Sequence, residues 1–254
     1  MIQMVNLFCL SFSMGITLAM LLIKRDDMVV SFFRNTALVA LGLYSVFMFF
    51  SWKGQMAFYW PGMILLCYGA TIHLLLPLVS KVLLFTAGTS LLYQCYDLLS
   101  SIKTNGYISY LEFTSIMVGA LMMGMSVVAM NVGHSYLSSI KLKMDPLKVS
   151  VGALFVLIVL RWGLFFLGLY QLGVDQLMSA VHSMGIHDVT KTAILLSRIL
   201  FGLVGPSVLV VLVWQTVKIG STQSATGILY ALLSMVLIGE LCADDLLLHS
   251  IFWF

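Results

Sequence analysis

Four ionisable side chains lie inside or at the edge of long apolar runs: Arg161, Arg198, Glu240 and Asp97. A charge inside hydrocarbon is costly unless it has a partner or a wet cavity, so by default such residues indicate function. Carboxylates can pass protons, and arginines can donate hydrogen bonds to the carbonyls of a quinone head group. These four residues therefore predict a quinone or proton site. The alternative is an ion-pair network that only fixes the helix arrangement.

Two histidines, His73 and His134, form the basis of a second prediction. Each lies on a helix that we expect to run inward, roughly 10–12 Å from the inner loop. Two imidazoles at equal depth on different helices suit the iron of a b-type haem. Arg34 and Tyr136 belong to the same inner polar layer, where Arg34 can meet a haem propionate. The alternative is that each histidine bonds a neighbouring carbonyl or hydroxyl.

The C-terminal segment carries further ligand-type residues. Glu240 and Asp244 are four residues apart and share a helix face, as do Asp245 and His249. The two pairs point in different directions, so no metal site is predicted beyond a haem iron. The favoured interpretation of Asp244 and Asp245 is a solvated or partner-facing helix end.

The elements that position these residues must be membrane helices. Of the 254 residues, 61% are hydrophobic and 9% are charged, against roughly 25% charged in soluble domains. The net charge of +3 is too small to indicate nucleic-acid binding. The composition predicts an integral membrane protein.

Residues 1–254 are predicted to form a single all-α domain, a polytopic bundle of about eight transmembrane helices. A short amphipathic helix at about 175–185 is expected on the membrane surface, and 202–206 (GLVGP) is the one candidate interruption of a span. The expected spans are 2–23, 28–51, 57–79, 82–102, 108–140, 147–172, 192–217 and 223–248.

The distribution of basic residues predicts the orientation. Cytoplasmic loops carry more Lys and Arg than loops on the opposite side. Both termini should therefore face outward, in the inner membrane of a bacterium. The loops after odd-numbered spans hold Lys24, Arg25, Lys81, Lys141, Lys143, Lys148 and Lys218, whereas the others hold Lys53, Lys103 and Lys191.

Two resemblances add expectations. Eight helices, outward termini and a last helix with Gly239, Glu240 and Leu241 resemble the NrfD/PsrC/DmsC class of membrane anchor subunits. That resemblance implies quinol exchange and iron–sulfur partner subunits. The segments 131–137 (NVGHSYL), 198–206 (RILFGLVGP) and 221–230 (STQSATGILY) are similar to an uncharacterised bacterial multi-pass family with a GHWYL-type motif.

The leading hypothesis is a membrane subunit of a respiratory electron-transfer complex that interacts with quinone or quinol. It has other subunits as partners, redox subunits among them. The alternatives are a b-type haem protein that uses His73 and His134, and a structural or assembly subunit. The sequence shows no Ser/His/Asp, HExxH or Asp-rich prenyl-transfer motif, so a membrane hydrolase or prenyltransferase is disfavoured. We expect at most a subunit of a membrane oxidoreductase rather than a stand-alone enzyme.

Overall fold

The computed structural model describes residues 2–51, 59–72, 77–102, 109–138, 144–187 and 189–249. For 138, 172–187, 189, 191 and 249 only the backbone is described. Within these ranges the chain is helical and has no strand, which confirms the all-α prediction. The helices are α1 (Ile2–Ala19), α2 (Val30–Phe50), α3 (Trp60–Thr71), α4 (Pro77–Ile102), α5 (Tyr110–Ser138), α6 (Asp145–His187), α7 (Val189–Ile199), α8 (Gly205–Lys218) and α9 (Thr222–His249).

Seven segments of the described chain are long and apolar enough to cross a bilayer, so the chain is a multi-pass membrane protein. The ends of these seven segments agree to within five residues with the ends of seven predicted spans. The third predicted span is the exception. The seven are Ile2–Leu22, Val30–Phe50, Pro77–Ile102, Tyr110–Leu137, Asp145–Gln171, Thr192–Lys218 and Thr222–Leu248.

The third predicted span, 57–79, is wrong as a single helix. The helix α3 ends at Thr71, and 77–79 already belong to α4, which begins at Pro77. Proline fixes φ and lacks an N–H, so it starts a helix readily and disfavours helical conformation in the residue before it. With 12 residues, α3 is roughly 18 Å long, shorter than the hydrocarbon core of a bilayer.

The short helix α3 nevertheless returns the chain to the side from which α2 started. Arg25, in the turn between α1 and α2, donates from Nη2 to the carbonyl of Ile72 at 2.5 Å. The end of α3 therefore lies beside the α1–α2 turn. Because α4 starts from the same side, the helices alternate in direction, and the beginning of α1 and the end of α9 lie on one face.

The separate surface helix at 175–185 is also corrected. These residues are helical as predicted, but they continue α6, which runs unbroken for 43 residues. After Pro146 the helix contains no proline, and an internal glycine such as Gly173 costs only about 1 kcal/mol. At roughly 65 Å, α6 is much longer than the thickness of a bilayer.

The most buried spans, α1 and α5, form the centre of the bundle. On one side α1 packs against α2 and α4, and on the other α5 packs against α6 and α9. The two central helices meet at glycines, where a Cβ on Gly15 would overlap the carbonyl of Ala120 and a Cβ on Gly124 would overlap the backbone of Gly15. Small residues let membrane helices approach this closely.

Candidate functional site

Two arginines and one glutamate from three helices meet in the half of the bundle near the start of α1 and the end of α9, the half that the basic residues predict to be the outer one. Arg161 comes from α6, Arg198 from α7 and Glu240 from α9. They lie roughly 24, 30 and 27 Å from the inner ends of their spans. Arg161 Nη2 donates to Glu240 Oε2 at 2.8 Å, and Arg198 Nη1 donates to Glu240 Oε1 at 3.2 Å. Each carboxylate oxygen thus has its own guanidinium, and we call this set the outer cluster.

Water has almost no access to the outer cluster. Arg161 is 2% exposed, Arg198 1% and Glu240 4%. Backbone and hydroxyl oxygens accept further guanidinium N–H groups: Ser115 contributes its carbonyl and its Oγ to Arg161, and Gly239 contributes its carbonyl to Arg198 at 3.4 Å. Low dielectric strengthens these bonds but makes an unpaired group costly.

Glycines make room for the large side chains of the outer cluster. A Cβ on Gly119 of α5 would overlap Oε2 of Glu240, and a Cβ on Gly202 would overlap Nη1 of Arg198. On α9, a Cβ on Gly239 would overlap the backbone of Gly202. The Glu240 carboxylate and the Arg198 guanidinium therefore occupy space that is open because glycine has no side chain. Any other residue at position 119 or 202 would fill that space.

The helical segment that carries Arg198, formed by α7 and α8, is not a regular α-helix throughout. Between α7 and α8 the chain forms a π-helical turn, Leu200–Val204. Pro206 follows and cannot donate a backbone N–H, so the hydrogen-bond ladder must adjust on its N-terminal side. The predicted interruption at 202–206 therefore takes the form of a widened turn. Such turns are frequent at functional sites.

Asp244 adds a second carboxylate, one helical turn after Glu240 on α9. Its side chain is 7% exposed, and its Oδ2 has no hydrogen-bond partner among the described residues. A cavity of about 10 Å³ lies beside it, close to the volume that one water molecule needs. The described residues that line the cavity are Ser115, Ile116, Arg161, Glu240, Ala243, Asp244 and Leu247.

The outer cluster with Asp244 holds two cationic and two anionic groups, so it is formally neutral when every group is charged. The hydrogen bonds, however, are unevenly distributed. Both oxygens of Glu240 are engaged by guanidinium groups, whereas Oδ2 of Asp244 has no partner among the described residues, and Asp244 lines the cavity. The arrangement can hold one fixed carboxylate and offer a second for proton or water binding.

The fourth predicted member of this set lies elsewhere. Asp97 on α4 is half-buried, and the described chain shows no salt bridge between it and either arginine. In position and burial, Asp244 takes the place that the sequence reasoning gave to Asp97. The four-residue spacing between Glu240 and Asp244 places both on one face of α9. This spacing is the sequence feature that could have identified Asp244 as a member of the site. The composition of the helix end had favoured a solvated position instead.

Of the two predicted haem ligands, His134 lies in the described part of the chain. His73 lies outside the described residues. His134 is exposed on α5, Arg34 is exposed on α2, and Tyr136 is buried at 8% exposure. The described residues contain no group of three His, Cys, Asp or Glu side chains suited to a metal ion. A b-type haem that uses His73 and His134 stays a prediction.

Comparisons with protein-family models, with curated proteins and with solved structures found no match for this chain.

Proposed function

We propose that this chain is a membrane subunit of a respiratory electron-transfer complex and exchanges protons with a quinone or quinol at the outer cluster. The observation that carries the proposal is buried Asp244, whose Oδ2 has no partner among the described residues and which lines a water-sized cavity together with Glu240 and Arg161. An intramembrane carboxylate in such a setting is a typical proton carrier. The resemblance to the NrfD/PsrC/DmsC class implies the same chemistry.

The geometry divides the roles within the site. Arg161 and Arg198 bind Glu240 from both sides and keep it as an acceptor, which fixes the position of α9 against α6 and α7. Asp244 then accepts or delivers the proton through one water in the cavity. A quinone ring is far larger than about 10 Å³. It would therefore bind at the bundle surface, beside the apolar side chains of Ala243 and Leu247 that line the cavity.

The test replaces Asp244 with asparagine, in which an amide nitrogen takes the place of one carboxylate oxygen. The complex is purified from its native membranes through a tag on this chain, and quinol-dependent dye reduction is measured together with quinone content. Asp244→Asn should lower turnover at least tenfold while the partner subunits still co-purify. Asp245→Asn is the matched control, since it removes the neighbouring carboxylate of the same helix. Equal turnover in both variants would refute the proton role.

A second candidate function is a structural or assembly subunit. The observation that favours it is the mutual pairing within the outer cluster: each oxygen of Glu240 accepts from one guanidinium, and Arg161 also donates to Ser115, although Nε of both arginines has no partner among the described residues. The role best attested for buried ion pairs is to specify an arrangement. Normal quinol turnover of the Asp244→Asn complex, combined with loss of partner subunits in Glu240→Gln, would establish this candidate and exclude the first.

A further inference from the structure

A polar cleft opens on the inner side of the bundle, between the first turns of α2 and the last turns of α5. Its volume is about 240 Å³, far more than that of the cavity beside Asp244. It is remote from the outer cluster, because His134 lies near the inner end of α5 whereas Ser115 lies near its outer end. The described residues that line the cleft are Ser31, Phe32, Asn35, Asn131, His134 and Ser135.

The side chains that line this cleft suit a phosphate. They offer hydroxyl, amide and imidazole groups, and none of the six is acidic. Asn131 donates one amide N–H to Thr36 Oγ1 at 3.2 Å, so it is held in place with a second N–H remaining. Arg34 is exposed and precedes Asn35 on α2, but it is not among the residues that line the cleft. Hydrogen bonds from the donors in the cleft to a charged oxygen are about twice as strong as neutral ones.

The position of the cleft indicates that the phosphate belongs to a lipid. Two segments that are long and apolar enough to span form its walls, one beginning at Val30 and the other ending at Leu137. The cleft therefore lies at the depth of the head groups. One turn deeper on α2, Leu38 is 53% exposed and Val39 is 44% exposed. This apolar strip gives an acyl chain a surface to follow into the hydrocarbon.

We infer that the cleft binds the head group of an anionic phospholipid, with the phosphate accepting hydrogen bonds from Asn35, Asn131 and His134. Glycerol hydroxyls of the same head group can bond Ser31 and Ser135. This site is independent of the proposed electron-transfer role, because it uses no residue of the outer cluster.

Native mass spectrometry of the detergent-purified chain tests the inference. The probes are phosphatidylglycerol, phosphatidylcholine and inorganic phosphate. The test variant is Asn35→Leu with His134→Leu, since both side chains are exposed and the change leaves the core intact. The matched control is Ser45→Leu with Thr114→Leu, two exposed polar residues on the same helices outside the cleft.

The wild-type chain and the control variant should retain phosphatidylglycerol about tenfold more tightly than the test variant does, a ratio that corresponds to about 1.4 kcal/mol. They should also prefer it to phosphatidylcholine. Equal retention by the test and control variants would overturn the inference, as would a wild-type chain that does not distinguish the two lipids. Displacement of the lipid by millimolar inorganic phosphate would overturn the lipid assignment in favour of a soluble phosphate ester.

Discussion

Replacing Glu240 with glutamine should strongly destabilise the bundle. The carboxylate accepts from Arg161 at 2.8 Å through one oxygen and from Arg198 at 3.2 Å through the other. A glutamine amide keeps one oxygen, but its NH₂ must face a guanidinium donor. Two buried cations would then share one neutral acceptor. Removing one partner of a buried ion pair typically costs about 3–5 kcal/mol, and we expect the free energy of unfolding to fall by about that amount.

The assay is equilibrium unfolding by SDS titration in mild detergent, followed by circular dichroism. Glu112→Gln is the matched control, because Glu112 is the only other glutamate in the chain. It accepts from the backbone N–H of Ser109 at 3.1 Å at the start of α5. Loss of its charge from the helix N-terminus should cost only about 0.3–1 kcal/mol.

A triple variant separates ion pairing from simple loss of packing. Arg161→Met, Arg198→Met and Glu240→Leu, combined in an Asp244→Asn background so that no buried carboxylate is left without its cations, remove the charges and leave side chains of similar volume. Such replacements of buried ion networks are often neutral or stabilising by about 1–4 kcal/mol, so the triple variant should be at least as stable as the wild type. The reasoning is refuted if Glu240→Gln unfolds like the Glu112→Gln control, or if the triple variant is less stable than Glu240→Gln.

Three further expectations follow from the geometry. Gly119→Ala should destabilise by about 1–3 kcal/mol through overlap with Glu240, whereas Gly152→Ala, which meets nothing within 4 Å, should stabilise by about 0.5–1 kcal/mol; SDS titration compares the two. Asp244→Asn should lower the free energy of unfolding by less than Glu240→Gln does, since its Oδ2 has no hydrogen-bond partner among the described residues, and the same titration measures this. Ser224→Cys, exposed in the first turn of α9, should react with an impermeant maleimide in inside-out vesicles and remain unlabelled in right-side-out ones; the reverse pattern would contradict the orientation that the basic residues predict.

The sequence by itself determined that this protein lies in a membrane and that its fold is all-α. So few charges cannot cover a water-facing surface, and apolar runs of about 20 residues form membrane helices because their backbone groups can bond only within the helix. Seven of the eight predicted spans agree with the structure for this reason. The sequence also singled out Arg161, Arg198 and Glu240, because charges are rare in such runs.

The tertiary structure decided which of these charges meet. Helix periodicity fixes the depth and face of a residue on its own helix but not the rotation of that helix against its neighbours. Asp97 and Asp244 are both carboxylates in the half that the basic residues predict to be outer, and only the packing of α9 against α5, α6 and α7 shows that Asp244 belongs beside the outer cluster. The close fit of Gly119 and Gly202 around the charged groups arises in the same way. A glycine in a sequence does not reveal which side chain will occupy the space that it leaves.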